Sequence, residues 1–109
     1  MTNQVCEVVI TANDEGWLLD FTRSLVSERL AACGQQVTPI ESIYRWNNEI
    51  QQDRETRVAL HTRLDLVPAI LERVKREHPY EVPCVLALPV AAGNPDYLDW
   101  VIAETKAPE

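Results

Sequence analysis

The chain has 109 residues, room for one domain and not for two of ordinary size, and its 46% apolar and 25% charged residues suit a globular protein with a buried core. A net charge of −7 repels phosphate backbones and anionic lipid heads, which argues against nucleic acid and membrane surfaces as partners. Cys6, Cys33 and Cys84 form an odd, scattered set without a Cys-x-x-Cys pair, so reduced thiols in a cytoplasmic protein are expected rather than a secreted disulfide framework.

Met1 to Gln4 carry no basic side chain and no long apolar run follows, so neither a signal peptide nor a membrane span is expected. Val5, Cys6, Val8, Val9 and Ile10 make a short, β-branched apolar run that predicts a strand buried on both faces. Asn13 or Asp14 can cap a helix. Leu18, Phe21, Thr22, Leu25, Val26, Leu30 and Cys33 then recur at three- and four-residue steps, and Gly34 is placed to end the helix. Arg29 falls within the stripe, where its stem can cover the core while its head reaches water. On this pattern Cys33 is a core residue.

Val37, Ile40, Ile43, Tyr44 and Trp46 are strand formers, and Asn47-Asn48 suits a tight turn because Asn tolerates positive φ. The polar stretch from Ile50 to Arg57 and the alternation through Val58 and Leu60 complete a long hairpin with a polar, aromatic-rich tip. Gln35, Gln36 and Pro39 predict an irregular start to its first arm. Asp65 can cap a second helix with Pro68 in its first turn and Leu66, Val67, Ile70, Leu71 and Val74 on its buried face. Arg73, Lys75 and Arg76 fit the end of that helix, where cations complement the macrodipole, and the helix must stop before Pro79. Val85 to Val90 supplies a fourth strand, and Asn94-Pro95 is a cap and first residue for a last helix.

The order is βαββαβ plus a terminal helix over residues 1–109, a single α+β domain. Two split β-α-β units give a ferredoxin-like antiparallel sheet with helices on one face. The other face, and the edges of the long β2-β3 hairpin, call for cover by further copies of the chain.

Glu28 to Cys33 (Glu-Arg-Leu-Ala-Ala-Cys), Ser42 to Trp46 (Ser-Ile-Tyr-Arg-Trp), His78 to Pro83 (His-Pro-Tyr-Glu-Val-Pro) and Asp96 to Trp100 (Asp-Tyr-Leu-Asp-Trp) resemble, in sequence and order, the CutA divalent-cation-tolerance family. The resemblance implies a ferredoxin-like subunit, a cytoplasmic homotrimer with interlocking hairpins, and a role in tolerance of copper and other divalent cations. It implies no catalytic activity and no obligatory cofactor. It also brings a fold close to the PII signalling trimers, so the alternative is a signalling or scaffold module holding a small ligand or a protein at subunit clefts. This chain departs from the pattern where many members carry Glu and it has Cys84, where some carry Cys and it has Ile10, and where Lys-Thr is common and it has His61-Thr62.

His78 and Cys84 are the candidate metal ligands, since imidazole and thiolate suit copper or zinc. The bland reading makes His78 a backbone-bonded anchor and Cys84 a small buried hydrophobe opening a strand. A Cys-His nucleophile would need Glu81 as its orienting group and has no other support, so an enzyme is not expected. Asp53 and Glu55 read as a solvated or intersubunit strand face. Tyr44, Trp46 and Tyr80 are expected at trimer contacts or a ligand cleft between subunits.

Overall fold

A computed structural model describes residues 3–107; Met1, Thr2 and residues 108–109, and with them the start of the N-terminal stretch read above, lie outside the described residues. The elements are β1 (Val5–Ala12), α1 (Glu15–Ser27), β2 (Cys33–Trp46), β3 (Glu49–Arg63), a single 3-10 turn (Leu64–Leu66), α2 (Val67–Glu77), β4 (Val85–Pro89) and α3 (Pro95–Glu104). The strands pair antiparallel in the order β2-β3-β1-β4, the ferredoxin-like arrangement expected.

Side-chain alternation along β1 sorts the core. Cys6, Val8, Ile10 and Ala12 point to one face and pack with Leu18, Phe21 and Leu25 of α1, Ile70 and Val74 of α2, and Val58 and Leu60 of β3. Val5 packs on the other face with Ala32 and with Val101 of α3, flanked by Leu98 and Ile102. α3 covers only this end, and Leu86 and Leu88 of β4, which pair with Val9 and Glu7, remain 59% and 48% exposed on the open face.

Asp14 caps α1 by accepting from the Trp17 amide at 3.0 Å. The helix ends at Ser27, short of the boundary read from its stripe. Arg29 takes φ 63°, its amide bonds Val26 O at 3.0 Å and the Leu30 amide bonds Leu25 O at 2.9 Å. This is a Schellman termination with arginine where glycine is usual. The Arg29 guanidinium is exposed, as expected of its head, and donates to the carbonyls of Ala103 (2.8 Å) and Glu104 (3.2 Å) at the end of α3. Gly34 lies inside β2, where a Cβ would overlap Thr22 Cγ2, so its glycine serves close packing rather than helix termination.

Two expectations for α2 are also corrected. Asp65 pairs with Arg63 (3.3 Å) and the N-cap position is Leu66, without a side-chain cap bond. Leu71 is exposed, because the sheet contacts a narrower stripe of Leu66, Ile70 and Val74. Pro68 sits in the first turn as expected, and the helix stops with His78 in extended backbone before Pro79.

The hairpin turn forms at Asn47 (φ 50°) and Asn48 (φ 64°), the left-handed pair a two-residue connection needs. β2 runs unbroken from Cys33, and the irregularity expected near Pro39 is a register shift between Val37 and Ile40. β1 pairs with β3 only as far as Thr56, so residues 40–55 project beyond the sheet as a two-stranded arm.

Candidate functional site

The arm and the turn entering β4 enclose an open cavity of about 710 Å³. One wall carries Ser42, Tyr44, Arg45, Trp46 and Glu55, and the other Tyr80, Glu81, Val82, Pro83 and Cys84, with Thr11 at the base. Four of the five residues singled out from sequence, Tyr44, Trp46, Tyr80 and Cys84, thus meet in one place. Strand alternation aims Tyr44 and Trp46 to the same side of β2. The phenols are fixed from the facing strand: Tyr44 donates to Asp53, and Tyr80 donates to Glu55 at 2.6 Å. Burial, then the bond to Glu55, pushes the Tyr80 hydroxyl well above its ordinary range, so it stays a donor.

His78 stands behind this wall. Its Nε2–H donates to the Thr11 carbonyl at 2.8 Å, and the Tyr80 amide donates to Nδ1 at 3.0 Å. The ring packs edge-on against Trp17 (5.0 Å) and Tyr80 (4.8 Å). The Thr11 amide in turn bonds the Cys84 carbonyl at 3.4 Å, so one residue of β1 clamps both ends of the 78–84 turn. Cys84 is exposed, not the buried hydrophobe that its place before an apolar strand suggests, because β4 is an edge strand with one face open.

A preformed metal centre on His78 and Cys84 does not fit this geometry. Both imidazole nitrogens already hold backbone partners, and among the described residues no three His, Cys, Asp or Glu side chains gather as a ligand group. What the cavity offers a cation is the Cys84 thiol, with Glu81 among the lining residues.

The fold, the hairpin arm and this turn coincide with a known family: the model for the CutA1 divalent ion tolerance protein matches residues 6–104. The chain belongs to the CutA1 family. It is 44% identical to the divalent-cation tolerance protein CutA of Thermus thermophilus over 90% of this chain and 95% of that protein. It is 42% identical to protein CutA of Mus musculus, matching 94% of this chain and 58% of the mouse protein. The solved structure of the Thermus thermophilus protein superposes with a TM-score of 0.90 at 42% identity, covering 94% of this chain and 99% of that one. CutA1 from Oryza sativa superposes with a TM-score of 0.91 at 38% identity, covering 94% of each chain. The family spans compartments: a rice relative is named chloroplastic and the Archaeoglobus fulgidus structure periplasmic. No helix among the described residues is long and apolar enough to cross a membrane.

A second polar group, which sequence reading did not assemble, lies at the other end of β1. Cys33 of β2 pairs with His61 of β3, and His61 with Glu7 of β1, so the three stand in a row across the open face. Tyr97 of α3 closes over them. Cys33, read as core from its helical spacing, is half-buried among these polar partners because the helix ended six residues earlier. His61 stood out only as a departure from the family pattern, and the register that joins it to Cys33 and Glu7 is a tertiary fact.

Proposed function

We propose that this CutA1 protein acts in divalent-cation tolerance as a cytoplasmic homotrimer that takes up copper-like ions, with the Cys84 thiol as the contact at the arm cavity. The observation that carries this reading is an exposed thiol in a cavity wall that also presents a carboxylate. Thiolate favours soft ions such as Cu(I), and the neighbouring acid adds attraction for a cation. Remaining donors would come from water or another subunit, since His78 is held by its turn.

Assembly is supported by what the single chain leaves open. A two-stranded arm is marginal alone, and Ile43 and Ile50 on it are each 69% exposed. Leu86 and Leu88 add apolar surface on the edge strand, the kind of patch that a partner copy covers.

Calorimetric titration with Cu(I), Cu(II) and Zn(II), beside light scattering, tests the reading. Three chains per particle and Cu(I) binding weakened at least tenfold by Cys84→Ser are expected. A stable monomer refutes the assembly, and unchanged binding by Cys84→Ser refutes the contact.

A further inference from the structure

The row at the far end of β1 brings a thiol, an imidazole, a phenol and a carboxylate together. Glu7 and Thr11 are four residues apart on β1, about 13 Å at the ~3.3 Å rise of a strand, so this group is separate from the arm cavity. His61 Nε2 lies 2.9 Å from Glu7 Oε1. With the Nε2 proton directed to that carboxylate, the Nδ1 lone pair faces the opposite way. There it meets Tyr97 Oη at 2.5 Å and Cys33 Sγ at 3.4 Å, and these two atoms are 3.2 Å from each other. One imidazole nitrogen, one thiol and one phenol therefore lie within 3.4 Å of one another.

We propose that Cys33 Sγ, His61 Nδ1 and Tyr97 Oη bind a zinc-like divalent cation, with Glu7 as the carboxylate that orients the histidine. The sulfur–nitrogen separation is already close to that of a zinc site. Zinc bonds of about 2.3 Å to sulfur and 2.0–2.1 Å to nitrogen, at a tetrahedral angle, separate the two donors by about 3.6 Å. The observed 3.4 Å needs almost no rearrangement. The corresponding nitrogen–oxygen separation is about 3.3 Å, so Tyr97 must retreat from its present 2.5 Å. It can do so, because it stands on the outer helix and is 36% exposed. Cys33 and His61 are fixed by strand pairing.

The carboxylate behind the ring is the second indication. Ligating histidines commonly give their other N–H to a carboxylate, which sets the tautomer and raises the donor strength of the free nitrogen. Glu7 sits directly across the strand from His61 and does this here. Three protein donors leave a fourth tetrahedral position for water.

Co(II) is the probe, because it reports tetrahedral geometry and sulfur ligation by its absorption. The purified protein titrated with Co(II) is expected to show tetrahedral d–d bands with a thiolate charge-transfer band, both displaced by Zn(II). Cys33→Ser and His61→Gln should each remove the charge-transfer band or weaken binding at least a hundredfold. Glu7→Gln should weaken binding about 10–100-fold, the usual effect of losing an orienting carboxylate, and Tyr97→Phe about tenfold. Circular dichroism confirms that each variant is folded; should one not be, Cys33→Ala and His61→Asn replace it. The thiolate band from Cys33 is expected to persist in Cys84→Ser, whatever that variant does to binding at the arm cavity. A spectrum that lacks the thiolate band, survives Cys33→Ser and His61→Gln, or vanishes with Cys84→Ser alone overturns this site. The last outcome would leave the Cys84 contact standing, while loss of the Cys84 contact with the cobalt spectrum intact would do the reverse.

Discussion

Replacing His78 separates an anchoring role from a ligand role. In His78→Ala the Thr11 carbonyl loses its donor and the Tyr80 amide its acceptor. A partly buried hydrogen bond contributes about 1 kcal/mol, and leaving its partner unsatisfied adds to that. The ring also fills the space between Trp17 and Tyr80, edge-on to both. Two bonds and this packing together give an expected loss of about 2–3 kcal/mol of stability. The damage should be local first: the 78–84 turn loosens, Tyr80 loses its aim at Glu55, and the cavity wall becomes mobile. Denaturant unfolding at fixed protein concentration measures the first effect. Hydrogen exchange at the Tyr80 amide, which should accelerate at least tenfold, measures the second. Cys84→Ser is the control, expected within about 0.5 kcal/mol of the parent because its side chain is exposed. If His78→Ala unfolds like the parent while Cu(I) affinity falls, the anchoring argument is wrong and His78 is a ligand.

Trp46→Glu places a charge on the half-exposed arm and should shift light scattering toward smaller particles at micromolar concentration; an unchanged particle would show that this ring is not in the contact. Gly34→Ala should destabilise by about 1–3 kcal/mol through overpacking, since its Cβ would overlap Thr22 Cγ2 and meet Leu60 Cδ2 at 3.0 Å. Adding Thr22→Ser, which deletes that methyl, should recover most of the loss, and a double variant no better than the single one would count against the steric account. Burial, with Asp65 adding, pushes the Cys6 thiol from 9.0 up to about 11. The unfolded chain then releases this proton first, so the stability is full below about pH 9, falls as pH rises toward 11, and is lost above it; the gap corresponds to about 2–3 kcal/mol per chain. Urea midpoints across that range should fall more steeply for the parent than for Cys6→Ala, and parallel curves would refute the assignment.

Element type and order were determined by the sequence alone, because they rest on signals that act over a few residues. Period-two and period-3.6 apolar patterns, Asp14 and Asn94 as caps, Asn47-Asn48 as a left-handed turn and Pro79 as a stop all act locally, and each appears where read. Helix α1 shows where such signals fail. Its stripe continues through Leu30 in sequence, yet the chain turns at Arg29, whose positive φ is held by contacts 74 and 75 residues away on α3. A terminator without glycine, stabilised from a distant element, leaves no local trace. The same ending moves Gly34 and Cys33 from a helix into a strand, which changes the meaning of both. The arm cavity was half legible: its aromatics stood out by residue type, while the exposure of Cys84 follows from β4 being an edge strand, a property of strand order rather than of the segment. His78 was marked by its motif, but only the fold brought Thr11, 67 residues earlier, to its Nε2. Glu7, Cys33, His61 and Tyr97 lie on four elements that no local pattern connects. Strand register and the packing of α3 bring them to one point, and register is settled by burial of the whole sheet rather than by any single strand.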